Sequence, residues 1–246
     1  LIKKRDQKNL LFLLLSPLAI GLLIGNLSRN SNEFSGPLFI LVLATIFSGL
    51  LNACRELVSE RAIFRRERRV NLKIMPYLLS KVVLLWAIGL IQSLILIGVM
   101  CGIIPMNASV IEIFFVLAAT SLAATIIGLL ISALVKAETE AMVIADFVLI
   151  AHLVLGGFAF PLDQEWKKNL SSPLISRWAT EALFDSEARG MDSLESSTVF
   201  KKAIEAKGLQ PDQFGKDMFL ILCISLASLM ATAFVLTSRS QTKKNS

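Results

Sequence analysis

Three glutamates, Glu56, Glu60 and Glu67, share one short stretch with Arg55, Arg61, Arg65, Arg66, Arg68 and Arg69. Placed on a helix over 55–71 at about 100° per residue, the glutamates fall on one narrow face together with Ile63 and Phe64, and the arginines cover the rest. None of the three has a basic residue three or four positions away, the spacing at which a helix neutralises its own charge. Their partners must come from elsewhere. An acidic face with an aromatic in it has the chemistry of a docking surface, an apolar anchor rimmed by charge. The arginines alone equally suit a solvated loop touching anionic lipid headgroups. A helix break near Ser59 would divide the face.

Other reactive residue types are sparse. Asp146 and His152 lie within an apolar run, where an ionisable side chain is a functional candidate by default. They are too far apart for an i,i+4 pair, and Asp146 is close enough to the end of the run for water to reach it. A structural or interfacial role is the plainer reading of both. Cys54, Cys101 and Cys223 show neither metal-ligand spacing nor a disulfide framework and read as small buried hydrophobes. The single histidine has no nucleophile at a telling distance, and the acids of segment 162–216 read as a solvated surface, so nothing marks an enzyme active site. The phosphate-binding pattern GxxxxGK[ST] is absent; "GLQPDQFGK" has the wrong spacing.

The elements that carry these residues are membrane helices. Of 246 residues 54% are apolar and 18% charged, with mean hydropathy +0.67, outside the range of soluble domains. Six segments approach the roughly 20 apolar residues needed to cross a bilayer: 9–27, 38–54, 74–101, 110–135, 141–161 and 217–237. The alternation of a membrane barrel is absent. The net charge of +6 would raise nucleic acid as a partner in a soluble protein, but here it follows the bilayer. "KKRDQK", the 55–73 loop, Lys136, and Arg239, Lys243 and Lys244 fall on one side, which is cytoplasmic by the positive-inside rule; the opposite short loops carry only Arg29. Both termini are then cytoplasmic.

The long loop 162–216 is expected outside. Ile175, Trp178, Ala179, Ala182 and Leu183 recur at the spacing of an amphipathic helix. Trp166 and Trp178 suit headgroup depth, so this segment is expected to lie against the membrane or dip back into it. Val199, Phe200, Ala203 and Ile204 predict a second short helix ending near Gly208 and Pro211.

Two stretches carry a family resemblance. "CRELVSERAIFRRERRVNLKIMPYLLSKVV" resembles the segment between the second and third membrane helices of the G subfamily of ABC transporters, at Glu60, Phe64, Glu67, Arg68, Tyr77 and Lys81. "GGFAFPLDQEWKKNLSSPLISRWATEAL" is similar to that family's segment after the fifth span, at Gly157, Phe158, Trp166, Ser172, Pro173, Trp178, Glu181, Ala182 and Leu183. Arg5 and Asp6 resemble the pair that precedes its first span. The external loop lacks the cysteines common in animal members, which favours a bacterial protein.

The resemblance implies an all-α, six-span permease over 1–246. Its parts would be a cytoplasmic lead-in 1–8, a cytoplasmic coupling loop 55–73 containing a coupling helix, an external loop 162–216 with a re-entrant or amphipathic helical segment, and a tail 238–246. It implies a half-transporter in the cell's plasma (inner) membrane, paired with itself or a relative, that moves a hydrophobic or amphipathic, lipid-like molecule outward by alternating access. The ATPase would stand upstream on the same polypeptide or on a separate subunit, with ATP and Mg bound there and no cofactor or metal in this chain. Membrane lipids are the other expected partner, and nucleic acid is not. Contact with the ATPase would fall to Glu60, Arg61, Phe64, Arg65, Glu67 and Arg68. The substrate cavity or gate would be lined by Phe39, Leu43, Phe47 and Leu50 on span two and Phe147, Leu155, Phe158 and Phe160 on span five; spacing alone makes these residues ordinary packing. Two other classes stay open on the residues: an ion-gradient-driven secondary transporter or channel without an ATPase, and a non-transporting scaffold that recruits partners through the arginine-rich loop.

Overall fold

The computed structural model describes residues 15–26, 35–61, 64, 66, 73–104, 106–157, 160, 162, 164–191, 194–210 and 213–241, and these are helical with no strand among them. In chain order the helices are α1 (Leu15–Asn26), α2 (Ser35–Cys54), α3 (Glu56–Ser59), α4 (Ile74–Ile103), α5 (Val110–Leu134), α6 (Glu138–Leu155), α7 (Glu165–Ser171), α8 (Ile175–Gly190), α9 (Leu194–Glu205) and α10 (Phe214–Gln241). Four are long and apolar enough to cross a membrane: α2 with its extension to Ser59, α4, α5, and α10 as far as Ser238. This is a multi-pass membrane protein. Among the described residues α1 is shorter, and α6 carries Glu138, Glu140 and Asp146.

Helix α5 is the hub, packed against α2, α3, α4, α6, α8 and α10. Its buried positions are mostly small: Ala118, Ala119, Thr120, Ser121, Ala123, Ala124, Thr125 and Gly128. In lipid, where apolar surface gains little by leaving the solvent, small residues let backbones approach and gain dispersion contact. Helices α2 and α5 do this most closely. A methyl group on Gly128 would stand 2.7 Å from Ala53 Cβ and 2.8 Å from the Leu50 carbonyl, and one on Gly49 would stand 2.9 Å from Ala124 Cβ.

The outer faces of α4 and α10 are bands of exposed apolar side chains, among them Val83, Leu84, Leu94, Phe219, Leu226, Met230 and Phe234. Two of the three cysteines belong to these faces. Cys54 is buried as expected, but Cys101 and Cys223 are exposed, because hydrocarbon accepts a thiol on the outside of a helix as readily as a core does.

The stripe at Ile175, Trp178, Ala179, Ala182 and Leu183 does form a helix, but α8 is buried on every face from Ile175 to Ala188, among α2, α5, α6, α9 and α10. The acids expected to be solvated are therefore inside: Glu181, Asp185 and Glu187. Pairing keeps most of that charge tolerable. Arg177 Nε meets Glu181 Oε1 at 3.0 Å, and Arg189 Nε meets Asp185 Oδ2 at 3.4 Å. Arg189 also meets Glu112 of α5 at 3.1 Å. The Glu187 carboxylate accepts the Asn107 and Ala108 N–H groups at 3.0 and 2.9 Å and the Asn107 amide at 2.7 Å.

Helix α9 begins earlier than the apolar residues predict and packs Phe200 edge-on against Phe184, ring centroids 6.0 Å apart. The chain then reverses at Gly208, whose φ of 78° and contact with the Leu162 backbone leave no room for a side chain. Leu162 N–H donates to Lys207 O there at 2.8 Å.

The α2–α5 crossing yields a paired expectation. Gly128→Val should destabilise the protein by about 2–3 kcal/mol through overpacking. Gly98→Ala, at a site with nothing within 4 Å, should be neutral or slightly stabilising. Thermal unfolding of both variants in detergent checks this; equal melting temperatures would mean that the crossing is not tightly packed.

Candidate functional site

The arginine-rich stretch is not one helix from 55 to 71. Helix α2 stops at Cys54, Arg55 makes a turn, and α3 runs only from Glu56 to Ser59. The interruption has a local cause. In a continuous helix the Val58 N–H would bond the carbonyl four residues back; here it donates to Ser132 Oγ of α5 at 2.9 Å. A side chain inserted into the hydrogen-bond ladder breaks a helix in this way. The backbone then turns helically again, with Phe64 N–H on Glu60 O at 2.9 Å.

The glutamates find their partners on the next long helix. Lys81 Nζ lies 2.7 Å from Glu56 Oε1 and 2.6 Å from Glu60 Oε1, and the Tyr77 hydroxyl donates to Glu60 Oε2 at 3.2 Å. The Phe64 ring packs on that of Tyr77, centroids 5.0 Å apart. Tyr77 and Lys81 are four residues apart on α4 and so share one face. Two carboxylates around one ammonium, each partly shielded from water, form a bridge that needs all three groups, since removal of the lysine would leave like charges together.

Arg61 makes a second tie. Its guanidinium donates to the Val135 carbonyl just beyond the end of α5, where a cation also opposes the negative end of the helix dipole. The segment after α2 is thus bonded to α4 through Glu56 and Glu60 and to α5 through Val58 and Arg61. Arg65, Glu67 and Arg68 lie outside the described residues, as do Ile63, Arg69, Arg5, Asp6 and Arg29.

The other predicted set divides. Phe39 and Leu50 are buried within the chain, Phe39 with its ring against Gly156 and Leu50 with its carbonyl against Gly128. Leu43 and Phe47 are half-buried and belong to an outward stripe of α2 with Ile40 and Leu51. Phe147 and Phe160 are exposed, Leu155 is half-buried, and Phe158 lies outside the described residues. Helix α6 buries only Ala141, Ala145 and His152. Asp146 faces outward beside Phe147. His152 is structural: its Nδ1 is 3.0 Å from Ser176 Oγ, and that hydroxyl donates to the His152 carbonyl at 3.1 Å, joining α6 to α8.

Sequence reasoning missed Lys81 and Tyr77 as the partners of the acids, and Ser132 and Val135 as the seats of the loop. The first pair left a signal, a cation and a hydroxyl one helical turn apart just after acids with no local partner. The second left none, because a backbone carbonyl and a core serine have no distinguishing pattern.

The profile described as "ABC-2 type transporter" matches residues 1–187. The "ABC transporter ATP-binding/permease protein Rv1747" of Mycobacterium tuberculosis is 30% identical over 139 residues, which is 53% of this chain and 16% of the length of that relative. The family match over 1–187 takes in both the tied segment after α2 and most of α8, and the chain belongs to the ABC-2 type transporter family.

Proposed function

We propose that this chain is the permease of an ATP-driven exporter, dimeric, with six spans formed by α1, α2, α4, α5, α6 and α10. The observation that carries the reading is the double tie of the segment after α2. A loop meant only to contact solvent and lipid headgroups gains nothing from Glu56 and Glu60 gripping Lys81 or from Arg61 holding Val135. A loop that receives a push from an ATPase must hand it to membrane helices, and α4 and α5 are the helices it holds. On this reading Glu60 and Phe64 are the inner fittings of the lever, and the arginines between and after them supply its contact with the ATPase. ATP and Mg act in that partner. Its binding energy selects one of two permease arrangements, as any ligand with unequal affinity for two states does.

The outward face of α6 supports a position for the second copy. An aspartate turned toward hydrocarbon within a span is costly, so the outward face with Asp146, Phe147 and Ile150 is proposed to meet its equivalent and the Leu43–Phe47 stripe of α2 around a shared path. Apart from Asp146 the lining is apolar, which suits a lipid-like cargo better than a sugar or an ion.

Two measurements test these assignments. Lys81→Met should leave the protein in the membrane and ATP hydrolysis running while transport per ATP falls about tenfold, the effect of roughly 1.4 kcal/mol; the added changes Glu56→Gln and Glu60→Gln should restore part of it. Transport that stays fully coupled in Lys81→Met would remove the lever. In a background with Cys54, Cys101 and Cys223 replaced by serine, Phe147→Cys should cross-link two copies with a short thiol-reactive reagent, and Phe234→Cys on α10 should not. Dimers at neither position, or only at the latter, would displace α6 from the interface.

A further inference from the structure

Between the end of α8 and the start of α10 lies a cleft of about 470 Å³, lined by Asp185, Arg189, Gln213, Phe214, Gly215 and Lys216. Its size is that of a small-ligand site, and its charges are not equivalent. Arg189 is already committed: it meets Glu112 at 3.1 Å and Asp185 at 3.4 Å and lies over the Phe214 ring at 5.0 Å. Asp185 is buried and held by that contact. Lys216 is exposed. An ammonium carries three donors, and Gln213 Oε1 takes one of them at 2.7 Å. Beside it, a Cβ on Gly215 would have nothing within 4 Å, so a ligand has room to approach the α10 backbone. The lining thus offers a cation to an anion, and no uncommitted carboxylate to a cation.

The cleft stands at the head of an apolar stripe. After Lys216, the residues Phe219, Leu222, Leu226 and Met230 follow at steps of three and four along α10 and so share one face. All four are exposed. Phe219 and Met230 are 11 residues apart, about 16 Å of helix, which is half of the roughly 30 Å of a bilayer's hydrocarbon and so the depth of one leaflet. A cation above an apolar stripe one leaflet long matches an amphiphile with an anionic head. We propose that the cleft and the stripe beneath it bind an anionic phospholipid of the surrounding bilayer, its phosphate on Lys216 and an acyl chain along Phe219, Leu222, Leu226 and Met230. Lysine serves phosphate as a point charge, and basic clefts between membrane helices suit such headgroups. A glycerol headgroup fits this lining better than an ethanolamine one, whose ammonium would find Asp185 already taken by Arg189. Only the choice of the outer leaflet rests on the six-span reading; the site itself needs α8 and α10 alone.

The test uses the natural polypeptide that contains this chain, in detergent, with bound lipid counted by native mass spectrometry. Long-chain phosphatidylglycerol should bind at lower concentration than long-chain phosphatidylethanolamine. Lys216→Gln should weaken phosphatidylglycerol binding about tenfold, the scale of one charge-assisted hydrogen bond, and so abolish the preference. Lys202→Gln, at an exposed lysine of α9, should leave the preference intact. Phosphatidylglycerol with six-carbon chains should bind more weakly than the long-chain lipid, and glycerol 3-phosphate should not displace it. The proposal is overturned by equal binding of the two headgroups, as a lysine that only snorkels to the phosphate layer would give, or by undiminished binding in Lys216→Gln. Displacement by glycerol 3-phosphate would also overturn it, since the site would then take an anion without needing a lipid. Binding is read directly, so the result is independent of whether an ATPase drives the chain.

Discussion

The crossing of α2 and α5 is the constraint on which the rest of the protein is mounted. Gly49 and Gly128 bring the two backbones within reach of each other's Cβ atoms, and that distance fixes where every other helix can lie. Helices α4, α6 and α8 each pack on both members of the pair, and α10 packs on α5 and α8. Between its larger buried residues Ile113, Leu117, Ile126, Leu129 and Ile131, α5 presents alanine, serine and threonine, and neighbours bring Leu38, Leu78 and Leu96 to the same apolar clusters. Dispersion between closely spaced backbones does the work that water exclusion does in soluble proteins.

Charge inside this fold is organised by the same economy. Helix α8 carries Arg177, Glu181, Asp185, Glu187 and Arg189 in 13 residues and is nevertheless covered by other helices along most of its length. Each ion is answered by an opposite charge or by backbone donors from a neighbour, with Arg177 lying over the Trp178 ring at 4.6 Å and Arg189 over Phe214 at 5.0 Å. Removing one member of such a set leaves its partner buried and unpaired, which typically costs more than the pair contributed. The α8 network therefore specifies position more than it adds stability.

How much of this could be read from the residues depends on what kind of signal each feature leaves. Apolar runs located the long helices, because the thickness of a bilayer imposes a length that composition reveals. The period of α8 was legible at Ile175, Trp178, Ala179, Ala182 and Leu183, but its burial was not: periodicity reports that one face is apolar and is silent on whether the polar face has partners waiting. The acids at Glu56 and Glu60 announced that they needed partners from beyond their own helix, and the partners proved to be on the following one. The break after Cys54 escaped because it arises from Ser132, a residue 74 positions from Val58. Contacts of that kind exist only once the helices have been assembled.

Helix α5 is held by charge at both ends. Glu187 seizes the N–H groups just ahead of its first turn, and Arg61 grips the carbonyl just past its last, each ion of the sign that the helix dipole favours there. With 25 residues and about 1.5 Å of rise for each, the rod between these fittings is somewhat longer than the roughly 30 Å thickness of a bilayer's hydrocarbon. A rod pinned so cannot slide without breaking a bond at each terminus together.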